Sequence, residues 1–110
     1  MKRYILIIIA LLSIQPIFAQ QYTGTIKGAI TEEANGEPIP FANVSLMNDS
    51  TEVLSTTSDF DGIFTLELLP AGKYNVVVSY VGFRPKKIEA VEVTLFKLVS
   101  LKVEMSRGID

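Results

Sequence analysis

The sequence contains no cysteine, no histidine and no tryptophan. Without cysteine there is neither a disulfide nor a lipid-accepting thiol at a processed N-terminus, so stability has to come from a hydrophobic core. The lack of histidine and cysteine rules out zinc sites of the usual donor set. It also removes the base from Ser-His-Asp and Cys-His arrangements, leaving no neutral group with a pKa near 7 to activate a hydroxyl. A lysine base beside a serine would survive these exclusions, but no Ser-x-x-Lys spacing occurs. Positive charge is also sparse. Setting aside Lys2 and Arg3, eight basic residues face twelve acidic ones, a net −4. Arg84, Lys86 and Lys87 form the one small basic cluster and read as a solvated strand face. A nucleic-acid ligand, which needs a basic stripe to displace counterions, is therefore not expected.

Lys2 and Arg3 precede the apolar run Tyr4–Leu12, which Gln15 and Pro16 interrupt before Ile17-Phe18-Ala19. A positive start, about ten apolar residues and a small residue after a helix breaker describe a secretory signal peptide. The run is too short for a membrane span, which needs about twenty apolar residues. Residues 1–19 are thus expected to be a removable leader and residues 20–110 one exported domain with no membrane span after cleavage. About ninety residues suffice for a small independent core.

From Tyr22 onward, short alternating segments are separated by turn residues, the pattern of an all-β sandwich or barrel. The expected strands begin with 24–31, which carries Ile26, Gly28 and Ile30 on one face. Next come 41–47, with Ala42, Val44 and Leu46 inward, and a weaker strand over 52–57. Residues 63–68 alternate with Phe64, Leu66 and Leu68 inward. In 73–81, Tyr74, Val76, Val78 and Tyr80 oppose Val77 and Val81, which suggests a central strand. A strand over 84–91 starts at Pro85, where a missing donor suits a sheet edge. The tail, 92–95 and then 98–105, turns Leu101, Val103 and Met105 inward. Two sheets packed face to face bury these faces economically.

Two local patterns hint at ligands. Asp59-Phe60-Asp61-Gly62 resembles the start of a calcium loop, but the chain enters a strand directly afterwards, so an Asx-stabilised turn is the better reading. The acidic residues lie mostly in turns, which offers no paired carboxylates in a deep cleft. No catalytic residue, cofactor site or metal site is expected.

Read in order, Gly24-Thr-Ile-Lys-Gly28, Gly36-Glu-Pro-Ile-Pro-Phe-Ala-Asn-Val44, Thr57-Ser-Asp-Phe-Asp-Gly-Ile-Phe64, Leu69-Pro-Ala-Gly72 and Ser79-Tyr-Val-Gly-Phe83 resemble the carboxypeptidase-regulatory-like domain. The resemblance implies a transthyretin-like, seven-stranded Greek-key β-sandwich without catalytic residues. Such a domain is often found at the N-terminus of TonB-dependent outer-membrane receptors. It marks Gly28, Pro40, Asn43, Asp59, Gly62, Phe64, Pro70, Gly72, Tyr80, Gly82 and Phe83 as structural positions. Pro40 would set an extended entry to the second strand, and Asn43 would hydrogen-bond across to a loop. Asp59 and Gly62 would make a hairpin turn, and Phe64 would plug the core. Pro70 and Gly72 would turn the chain into the long strand, and Tyr80 and Phe83 would pack on either side of Gly82.

Ending at Asp110, the sequence is too short for a barrel, so a free-standing domain or the front of a longer receptor is expected. The expected function is an exported interaction module in the periplasm or outer membrane of a Gram-negative cell. A protein partner there would be joined by strand addition at the Pro85–Val91 edge or the C-terminal strand. The alternatives are a carbohydrate-binding accessory domain, for which Tyr22, Phe41, Phe60 and Phe96 are the aromatic residues expected outside, and an accessory domain of a metallocarboxypeptidase.

Overall fold

A computed structural model describes residues 23–108. The expected leader and Tyr22 lie outside these residues. Seven strands follow one another: β1 Gly24–Glu32, β2 Asn43–Asn48, β3 Thr51–Thr57, β4 Ile63–Leu69, β5 Gly72–Ser79, β6 Lys86–Val93 and β7 Leu98–Met105. They form a three-stranded sheet in the order β4-β1-β7 and a four-stranded sheet in the order β3-β2-β5-β6. Every pairing is antiparallel except β1 with β7. The all-β sandwich expected from the alternation is the fold observed.

The inward faces make one core. Ile26, Ile30, Val44, Leu46, Phe64, Leu66, Val76, Val78, Val103 and Met105 are all essentially inaccessible to solvent. Gly28 lies among them for a steric reason. A β-carbon there would stand 2.3 Å from Cζ of Phe64, so the phenyl ring occupies the space a side chain would take. As expected, β5 is internal to its sheet and β6 is an edge.

Several expectations fail where the chain departs from regular extension, and the segments expected over 84–91 and 92–95 are one strand, β6, which starts after Pro85 and ends at Val93. Leu68, assigned inward with Phe64 and Leu66, is 74% exposed, and Leu69 is buried in its place. The register explains the exchange. Gly24 pairs with Leu69 and Ile26 with Leu66, so Thr25 faces both Glu67 and Leu68, and Leu68 takes a φ of 59°. This bulge moves the following side chain to the other face. Val81 is no strand residue, since β5 ends at Ser79 and Val81 sits 90% exposed in the following turn. Phe41 precedes β2 rather than starting it, with a φ of 59°.

Candidate functional site

At the end of the sandwich where β1 finishes, the β1–β2, β3–β4 and β5–β6 connections gather. Asp59 organises the β3–β4 turn, as its Oδ1 accepts from the backbone N–H groups of Asp61 (2.8 Å) and Ile63 (2.9 Å). With these bonds the carboxylate is committed to an Asx turn. Among the described residues no three acidic side chains converge as a metal site would require. Gly62 closes the turn with a φ of 76°, and its N–H donates to the carbonyl of Asp59.

Ser58, just before this turn, is 1% exposed and clamps the two loops together. Its hydroxyl donates to the carbonyl of Ile39 (2.8 Å) and accepts from the N–H of Ala42 (2.9 Å). Its own N–H and C=O pair with the carbonyl of Ala42 and the N–H of Phe41, both at 3.0 Å. A buried hydroxyl with both roles filled fixes backbone as a short strand pair would. The clamp holds Phe41 in its left-handed conformation and sets its ring edge-on to Phe60, with centroids 5.0 Å apart. Yet the two rings are 53% and 78% exposed. A strained backbone that rigidly displays a large apolar pair to solvent marks a candidate contact surface. Phe41, Phe60 and Phe96 are all outside, as the alternation implied.

Beside this tip, the Tyr80 and Phe83 rings meet at a tilt of 40° with centroids 5.9 Å apart, and Arg107 lies 5.0 Å over the Phe83 ring. Arg107 Nε also donates to Oε1 of Glu32 at 2.7 Å. The two rings therefore lie together on one side of the bend, not on either side of Gly82. The bend depends on the φ of 86° at Gly82, since no atom of the described residues crowds the place of its missing β-carbon.

The hydrogen bond from Arg107 holds the Glu32 carboxyl below its ordinary value, although burial pushes it upward. Glu32 in turn raises Arg107. A carboxylate with a depressed folded pKa adds stability that is fully present above its unfolded pKa of about 4.3 and is lost as pH falls through the lower folded value. Glu32→Gln is therefore expected to be less stable than the parent at pH 7, and the gap should close below about pH 4. Urea titrations of both proteins across that range check this, and a constant gap contradicts it.

The remaining motif positions fall elsewhere. Pro40 sets no extended entry to β2: it is half-buried in a turn between the clamped residues, and Phe41 after it takes a φ of 59°. The carbonyl of Pro70 accepts from the Tyr74 hydroxyl (2.7 Å), which ties the β4–β5 turn to β5. Gly72 simply begins β5, with no crowding closer than 3.7 Å around a β-carbon placed there. Asn43 corrects an expectation: it pairs in the sheet between Thr57 and Ser79, and its amide bonds to no loop among the described residues. It lines a shallow polar groove with Ser45, Ser55, Thr57 and Ser79. Ser58 and the Glu32–Arg107 pair were not singled out in the sequence, where Ser58 reads as one more turn residue.

Over residues 25–106 the sequence matches the family profile of the carboxypeptidase regulatory-like domain. The chain belongs to this family. No curated protein sequence matches it. Several solved structures share the fold of the domain. One is BcpA, the major pilin subunit of Bacillus cereus, with a TM-score of 0.60 and 19% identity over 78% of this chain and 30% of that one. A candidate carbohydrate-binding protein of Bacteroides uniformis gives 0.61 and 16% over 74% and 40%. The 5-hydroxyisourate hydrolase of Klebsiella pneumoniae gives 0.60 and 19% over 78% and 92%. The domain thus spans less than half the length of the first two. At these identities the likeness is one of fold, which hosts structural, binding and catalytic proteins alike.

Proposed function

We propose that the domain is an exported, non-catalytic interaction module that serves a TonB-dependent uptake system at the outer membrane of a Gram-negative cell. The single observation that carries the interaction reading is the Phe41–Phe60 pair, displayed to solvent by a buried serine clamp. The family's usual company and the apolar leader support the location. One fold neighbour is a hydrolase, so the case against catalysis rests on a sequence without histidine or cysteine.

Phe60 is exposed enough that Phe60→Ala should change stability by no more than about 0.5 kcal/mol. Capture of a protein partner from outer-membrane extract should nevertheless fall about thirtyfold or more, as expected for an aromatic hot spot. Quantitative pull-down with parent and variant tests the reading. Recovery of no partner by the parent, or equal recovery by both, overturns it.

A glycan ligand is the second reading, favoured by the same exposed Phe60 ring and by the hydroxyl-lined groove at Asn43. Saturable binding on a glycan array that is lost in Phe60→Ala would support it over the first.

A further inference from the structure

Each sheet of an open sandwich has two edge strands, and native proteins blunt such edges against unwanted pairing. Three of the four here are interrupted. In β6, Asn75 faces both Glu89 and Ala90, Ala90 takes a φ of 55°, and its N–H is occupied by Asn75 Oδ1. Pro85 and the exposed Lys86, Lys87 and Glu89 add to the obstruction. In β4 the bulge at Leu68 breaks the edge, and in β3 Val53 is the extra residue between the Leu46–Leu54 and Met47–Glu52 pairs. The β7 edge differs, running against β1 for eight consecutive pairs without a shift in register.

The direction of its backbone groups can be read from two bonds. The carbonyls of Lys97 and Met105 accept from Thr25 and Glu33, so both point toward β1 and its ends. Backbone groups alternate along a strand in a parallel pair, so Val99, Leu101 and Val103 also face β1. Leu98, Ser100, Lys102 and Glu104 turn their N–H and C=O away from it. The next carbonyl in that outward row, of Ser106, already accepts from Arg84, and Phe83 and Arg107 form an antiparallel bridge there. One end of the row is therefore already paired antiparallel by the domain's own chain, and the four residues before it have no backbone partner among the described residues.

We propose that this row pairs with β7 of a second copy of the chain, antiparallel about a two-fold axis at Leu101. The row is complementary to itself. That axis sets Leu98 opposite the partner's Glu104 and Ser100 opposite the partner's Lys102, and it brings no two like charges together. All four outward residues are then matched, giving about eight backbone hydrogen bonds and one continuous six-stranded sheet. On the inner face, Leu101 meets the partner's Leu101 and Val99 meets the partner's Val103. Val99 and Leu101 are only half-buried in one copy, so pairing gives them the apolar neighbours they lack. The surface is independent of the Phe41–Phe60 tip.

Sedimentation equilibrium of the purified chain over a concentration series tests the pairing. The parent is expected to dimerise. Lys102→Pro removes an outward N–H and no β1 ladder bond, so it should leave the fold intact by circular dichroism and weaken the dimer about tenfold or more. Two exposed substitutions at Ser100 keep the test decisive even if proline disturbs the strand. Ser100→Glu faces the partner's Lys102 and should tighten the dimer, whereas Ser100→Lys should weaken it. Each effect is expected to be about two- to thirtyfold, because the pair occurs twice. A parent that is monomeric at every concentration overturns the proposal, as does a dimer indifferent to both changes at Ser100. A monomer that still captures an outer-membrane protein through Phe60 overturns the dimer and leaves the proposed function standing.

Discussion

Gly28→Val is expected to cost about 3 kcal/mol or more, which lowers the melting temperature of a domain this size by about 12–24 °C. The position is in the middle of β1, paired on one side with Phe64 and on the other with Leu101. Two ring atoms of Phe64 lie within 2.4 Å of where a β-carbon would be, and the ring is 1% exposed, packed in the core with no route to solvent. Any side chain at 28 must therefore push the ring into neighbours that are themselves closely packed, and interiors at crystal-like density yield poorly. The coupling is specific and measurable. Gly28→Ala alone should cost about 1–3 kcal/mol, and part of that should be recovered when Phe64→Leu shortens the facing side chain. A double-mutant cycle followed by thermal melting would show a favourable interaction of about 0.5–3 kcal/mol. Additive costs would mean that the ring and the glycine do not depend on each other.

Gly28 also shows what the sequence makes legible. Strict alternation around Ile26 and Ile30 puts position 28 on the inner face, and the alternation in β4 does the same for Phe64. What alternation cannot show is that the two positions face each other, because their pairing depends on where the bulge in β4 falls. That bulge also decides between Leu68 and Leu69. Both are leucine, either could be the buried one, and only the match of Gly24 to Leu69 determines which it is. The exposed aromatic residues were legible by elimination, since Phe41, Phe60 and Phe96 lie off the inward rows. Their arrangement was not. The strained φ of Phe41 and the Ser58 clamp depend on partners 16 and 19 residues away from the serine. The Glu32–Arg107 pair joins residues 75 apart. Period-two patterns report on neighbours within a strand, and these bonds connect loops that meet only once both sheets are folded.

The tip depends most heavily on Gly62, and Gly62→Ala is expected to destabilise the domain by about 3 kcal/mol or more. Two separate costs combine there. The φ of 76° is the left-handed conformation, which charges a side-chain-bearing residue about 1–2 kcal/mol. In addition, a β-carbon would stand 2.5 Å from the carbonyl oxygen of Ile30 and 3.1 Å from the nitrogen of Ile39. Those atoms are backbone and already bonded, since Ile30 donates to the carbonyl of Gly62 at 2.7 Å and accepts from Ile39 at 2.9 Å. They cannot swing aside as the end of a side chain would. Gly36 separates the two costs, because its φ is 73° with no atom of the described residues within 4 Å of a β-carbon placed there. Gly36→Ala should therefore show the conformational cost alone, about 1–2 kcal/mol. Asparagine tolerates the left-handed region, so Gly62→Asn should remain nearly as damaging as alanine if crowding dominates, and recover most of the loss if strain does. Because the same turn carries Phe60, crowding at Gly62 would also displace the ring from Phe41. Equal melting temperatures for Gly62→Ala and Gly36→Ala would show that the close approach of β1 to this turn contributes nothing to holding the tip.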